Sequence, residues 1–181
     1  MKILRFFFSA LFLVLTFYSC IEEQDFNQTE AISITPTIEA SIFYFETTEQ
    51  LINDTPGVFY SNDFNFDAFK TDYFSDEVIE GSITFQLENT TSKAARVTIE
   101  LVDDDGVVLD TIELEIAAEA SDTTDVEVFY GGTSTRSLDI IRNTSGIRLS
   151  ADNLGDNTSV SSMANPKLIF RSSAKFKVRV R

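Results

Sequence analysis

The sequence predicts an all-β protein, an antiparallel β-sandwich with one or two short helices. Three observations carry this. Apolar residues recur at every second position through most of the chain beyond residue 37, the signature of strands with one buried face. Clusters rich in Asn, Asp and Thr separate these runs at intervals of about 10–15 residues, as in sandwiches and barrels. Helical spacing occurs in only two short places.

Taken in order, strands are predicted at 38–45, 57–60 and 63–69. Between the first two, Thr48 to Asn53 predicts one helical turn behind a Thr cap. Ile83, Phe85 and Leu87 then share one face, with Thr84, Gln86 and Glu88 on the other. Val97, Ile99 and Leu101 repeat the pattern, as do Ile112, Leu114 and Ile116 with Glu113 and Glu115 facing away. Val126, Val128 and Tyr130 continue it. Ser137 to Asn143 sets Leu138, Ile140 and Ile141 at helical spacing behind a Ser cap. Ile147 and Leu149 form a further strand. In the last run Ala174, Phe176, Val178 and Val180 take one side, and Lys175, Lys177, Arg179 and Arg181 the other.

Composition narrows the function classes. The 181 residues include no His, no Trp, one Cys and 17 Phe, and the formal net charge is -15. Without His the chain lacks the commonest general base and transition-metal ligand. One Cys makes no internal disulfide. The acidic balance excludes a nucleic-acid binder, which needs a basic footprint. No nucleophile elbow, phosphate loop or metalloprotease motif is present. The expectation is a non-enzymatic protein with no cofactor and no metal.

Residues 1–19 read as a signal peptide. Lys2 and Arg5 precede an apolar run from Phe6 to Tyr18, too short for a spanning helix of about 20 residues. Ser19 and Cys20 end the run, and Glu22, Glu23 and Asp25 follow at once. This segment resembles the signal of a bacterial lipoprotein, in the looser form of Bacteroidota lipoproteins. The resemblance implies lipidation at Cys20, with Glu22, Glu23 and Asp25 as a surface-export signal. It further implies an outer-membrane protein, lipid-anchored through Cys20, on either the cell surface or the periplasmic side. Residues 20–36, poor in periodicity, then form a flexible stem, and residues 37–181 the sandwich domain.

The segment from Gly81 to Thr124 resembles the central hairpin of immunoglobulin-like and fibronectin-III-like sandwiches. It runs from a strand ending in Leu87-Glu88-Asn89-Thr90 to Val97–Leu101, an Asp-Gly turn and Val107–Leu109. The resemblance implies an immunoglobulin-like β-sandwich.

Four constellations compete for function. Asp103, Asp104, Asp105, Gly106 and Asp110 carry oxygen ligands that suit Ca2+, yet Asp-Gly equally makes a hairpin turn. Asp152 to Asn157 offers oxygens too, and reads better as a solvated loop. Ten aromatic residues crowd 43–74, more than one strand pair takes inward. Tyr60, Phe64 and Phe66 are therefore candidates for a partner-binding surface. The fourth is charge segregation: residues 20–130 hold 26 acidic and 3 basic residues, residues 131–181 hold 9 basic and 3 acidic. Lys175, Lys177, Arg179 and Arg181 thus form a basic strand in an acidic protein. It either docks a partner, protects a sheet edge, or lies beside Glu100, Glu113 or Glu115 on neighbouring strands. The function expected is a protein-interaction or accessory subunit of an envelope assembly, with a surface glycan-binding module as the alternative.

Overall fold

A computed structural model describes residues 34–120 and 122–180. Eight strands run β1 (Thr37–Thr48), β2 (Val58–Asn65), β3 (Val78–Asn89), β4 (Ala95–Val102), β5 (Val108–Ile116), β6 (Thr124–Gly131), β7 (Gly146–Asn153) and β8 (Lys167–Val178). Among the described residues three short helices interrupt them: α1 (Glu49–Asp54), α2 (Asp72–Glu77) and α3 (Leu138–Asn143). A 3-10 turn covers Asp67–Lys70. The strands form two four-stranded antiparallel sheets, ordered β1-β8-β3-β6 and β2-β7-β4-β5.

The antiparallel β-sandwich expected from the sequence is present. Within that class the strand order is that of an eight-stranded jelly roll, two interlocked Greek keys. The Asp-Gly turn of the expected central hairpin forms between β4 and β5, and the link from the Leu87 strand to the Val97 strand crosses between sheets. The reason is valence: β3 is already flanked by β8 and β6, so β4 finds its partners in the other sheet. The corner is built by Asn89, whose Nδ2 donates to the carbonyls of Lys93 (2.7 Å) and Ala117 (2.9 Å). Its Oδ1 accepts from the Thr91 amide (3.1 Å) and hydroxyl (2.7 Å). Asn89, Thr91 and Lys93 are fully buried, so these bonds satisfy backbone groups that water cannot reach.

Both predicted helices form behind their predicted caps. Thr48 Oγ1 accepts from the Leu51 amide and Ser137 Oγ from the Asp139 amide. The strands expected at 57–60 and 63–69 merge into β2, which stops at Asn65. The 3-10 turn and α2 occupy 67–77 instead, because Phe69 and Phe74 turn onto Phe176 (5.2 and 5.0 Å between centroids).

Alternation places Ile83, Phe85 and Leu87 of β3 and Phe170, Phe176 and Val178 of β8 against Val97, Ile99, Leu101, Ile112, Leu114, Ile147 and Leu149. Phe170 is the hub. Its ring lies 5.2, 5.8 and 6.0 Å from those of Phe43, Phe45 and Phe85. Gly81 stands where a Cβ would overlap the Phe176 ring, so a bare backbone is what lets that ring lie flat on β3.

Phe170→Ala is expected to lower unfolding stability by about 3–5 kcal/mol through a cavity shared by three neighbouring rings. Denaturant titration will read this as a lower midpoint at an unchanged slope.

Candidate functional site

β8 runs through the centre of the first sheet, between β1 and β3. Its basic residues therefore protect no edge. Nor do they meet Glu100, Glu113 or Glu115, which stand on β4 and β5 of the other sheet. Register sets each instead opposite one acidic residue of a flanking strand: Lys177 opposite Thr37 and Glu80, Lys175 opposite Glu39 and Ser82. Lys177 Nζ reaches Glu80 Oε1 at 3.4 Å. Lys167 pairs with Glu46 at 3.2 Å and Arg171 with Glu88 at 3.6 Å. Tyr44 Oη also donates to Glu46 (2.6 Å). That bond, then Lys167, holds the Glu46 carboxyl below its ordinary value, and the same bond raises the Tyr44 phenol.

Lys175 stands apart. It is exposed, and among the described residues its ammonium has no hydrogen bond or ion pair. Beside it the outer surface sinks into a depression of about 620 Å³ that also touches Ser82, Glu127, Phe129 and Lys177. Phe129 is 54% exposed, and Ser82 Oγ donates to Glu127 Oε1 (2.6 Å). Gly132, with φ of +55°, leaves room where a Cβ would crowd the Glu80 carboxylate. The floor thus offers an aromatic ring, a free ammonium, a carboxylate and hydroxyls. Phe129 was legible in the sequence: Val128 and Tyr130 point inward, so the residue between them points out.

The aromatic candidates pack against other rings. Tyr60 of β2 stacks on Phe45 of β1 (4.2 Å, 7° between planes), and Phe64 on Phe43 (5.6 Å). Phe66 packs on Phe69 (4.5 Å). All three candidates are half-buried. The Tyr60 and Phe64 stacks join β2 to β1. Arg179 is exposed, its amide donating to the Glu77 carbonyl. Cys20, Glu22, Glu23, Asp25 and Arg181 lie outside the described residues.

Both acidic loops are turned toward N–H donors. Asp103 Oδ1 accepts from the amides of Asp105 (3.0 Å) and Val107 (2.8 Å), closing a turn on Gly106 at φ +76°. Asp104 pairs with Lys70. Asn153 Oδ1 accepts from Gly155 (2.8 Å). Asp156 Oδ1 accepts from Lys93 Nζ and Thr158 N (each 2.8 Å) and Ser159 N (2.7 Å). Among the described residues no group of three or more His, Cys, Asp or Glu is placed to hold a metal ion.

Lys93 is wholly buried and anchors this end of the sandwich, donating also to the Ser159 carbonyl (2.8 Å). Nearby, buried Glu49 accepts from the Ser92 amide (2.6 Å) and the Ser161 amide (2.9 Å). Burial alone would raise the Glu49 carboxyl, but those bonds and the Lys93 charge together bring it below its ordinary value. The Lys93 bond first, then the Ser159 and Thr158 donors, depress Asp156 strongly.

No family model and no curated protein matches the chain. Among solved structures it is similar to the VP2 subviral particle of infectious bursal disease virus, at 14% identity and a TM-score of 0.35. That likeness covers 82% of this chain and 32% of the viral one, so the chain spans about a third of its length. The disulfide-linked pili of Bacillus endospore appendages match at 10% identity and 0.36, over 79% and 89% of the two chains. Desmodium yellow mottle tymovirus matches at 8% and 0.33, over 82% and 84%. At such identity and overlap these likenesses carry no statement about function.

Two outcomes are expected. Glu49→Gln sets an amide NH2 against an N–H donor and lowers stability by about 2 kcal/mol, measured by denaturant titration. Because Glu46, Glu49 and Asp156 titrate lower when folded, their stabilisation is complete above their unfolded values of about 4. It is lost as pH falls through the folded values, so the melting temperature holds from pH 6 to 8 and drops below about pH 4.

Proposed function

We propose that this chain is a non-enzymatic, lipid-anchored outer-membrane protein whose sandwich acts as an interaction or accessory subunit of an envelope assembly. The observation that carries the interaction reading is the outer face of the first sheet. There Lys175 alone of the β8 bases at 167, 171, 175 and 177 lacks an acidic partner, beside a depression floored by exposed Phe129. An exposed aromatic ring beside an unpaired charge has the composition of a binding hot spot once a partner covers it. The absence of His from the whole sequence supports binding over catalysis.

Anchoring rests on the apolar run that ends at Cys20 and on the acidic residues Glu22, Glu23 and Asp25 behind it. Among the described residues no helix is long and apolar enough to cross a membrane. Two or more acyl chains on Cys20 would supply firm attachment, at about 0.8 kcal/mol per buried CH2. A glycan-binding reading draws on Phe129 beside Glu127 and Ser82, a ring with polar groups at its edge, and a glycan array separates the two.

Labelled palmitate is expected to enter the protein and to be lost in Cys20→Ala; equal labelling of that variant sinks the anchor. Purified in mild detergent, the protein is expected to bring stoichiometric partners that Lys175→Glu with Phe129→Ser releases while the melting temperature holds. A solitary monomer would count against the interaction reading.

A further inference from the structure

We infer that β6 is an acceptor edge for an extended, basic segment of a partner protein, which adds to the first sheet as a ninth strand. This deepens the interaction reading above and rests on it.

β6 ends the order β1-β8-β3-β6 and, among the described residues, has no neighbour on its outer side. Its pairing with β3 runs from Thr124 to Gly131 without a register shift. The edge strands β1 and β2 each carry an irregularity, at Ser41/Phe43 and at Val58/Tyr60, which blunts an edge. On β5 the Thr111 amide is taken by the Asp110 side chain (3.0 Å). β6 has only a terminal guard: the Gly131 amide donates to the Arg136 carbonyl (3.0 Å) and the Phe129 carbonyl accepts from Ser134 Oγ (2.6 Å).

Those two bonds also fix the parity of the strand. Residues 129 and 131 face outward along the sheet plane, so by the period of two 125 and 127 do as well. The amides of Asp125, Glu127 and Phe129 and the carbonyls of Asp125 and Glu127 are the free edge. An extended chain satisfies all of them.

Charge selects the occupant. On the outer face the β6 column reads Asp125, Glu127, Phe129, and the depression opens at its Phe129 end. Pairing β6 with a second copy of itself centred on 126 or 127 sets carboxylate against carboxylate, which cross-strand neighbours do not tolerate. A segment with Lys or Arg opposite Asp125 and Glu127, and an apolar residue over Phe129, meets no such cost. Its alternate side chains cover half-buried Val126 on the inner face.

The test uses the full chain in detergent and a seven-residue peptide alternating Lys with Val and bearing one Phe. Bound peptide is expected to slow hydrogen exchange at the amides of Asp125, Glu127 and Phe129. A matched peptide with Glu in place of Lys is expected to bind about tenfold more weakly. Asp125→Lys with Glu127→Lys should reverse that preference. Asp125→Asn with Glu127→Gln, which keeps the shape, should abolish it. Binding without protection of those amides, or equal binding of both peptides, overturns the inference. If co-purifying partners are lost with Lys175→Glu yet survive the double Lys variant, the interaction reading stands and the acceptor edge falls.

Discussion

The structure depends on one arrangement: its last two strands enter the middle of both sheets. β8 separates β1 from β3, and β7 separates β2 from β4. Neither sheet is continuous until the C-terminal third arrives, so most pairings join residues far apart in sequence. Such long-range closure carries a loop-entropy cost before contacts repay it. Burial of the shared core, with Phe170 and Phe176 on β8 and Ile147 and Leu149 on β7, drives that closure.

The same arrangement explains the polarised charge. Acidic strands come first and basic strands last, and insertion interleaves them. Arg148 on β7 lies between Asp63 of β2 (3.3 Å) and Glu100 of β4 (2.9 Å), in register with both. On β8, Lys177 pairs in register with Glu80, while Lys167 and Arg171 reach diagonally to Glu46 and Glu88. These exposed pairs each add little stability, but like charges in wrong registers would repel. Their role is to favour this strand order among those that bury the same apolar faces. On the opposite side, Asp110 of β5 accepts from Tyr130 of β6 and from Arg136 (each 2.9 Å), tying the two sheets at their open edges. Burial, then the Asp110 charge, raises the Tyr130 phenol well above its usual range, so the bond persists throughout the physiological pH range.

Most strand positions and both capped helices were legible because period two and Thr48 or Ser137 caps are local signals. The strand order was not, since alternation states which face is buried and never which strand is adjacent. For the same reason the basic residues of β8 were visible as a group while their partners were misplaced. The rings of Tyr60, Phe64 and Phe66 were visible as a surplus; only the tertiary structure shows Tyr60 and Phe64 stacked on β1 and Phe66 packed on Phe69. Phe129 and the unpaired Lys175 drew no notice as a pair, being 46 residues apart on strands with β3 between them.

By itself the sequence determined the class of fold, the inward face of nearly every strand, the helix caps, and the lack of histidine chemistry. These follow from short-range periodicity and residue type. Tertiary structure decided the jelly-roll order, the turning of the acidic loops toward N–H donors, and which charges remain unpaired. Those depend on pairing between distant segments, where backbone hydrogen-bond valence and a shared core select the neighbours.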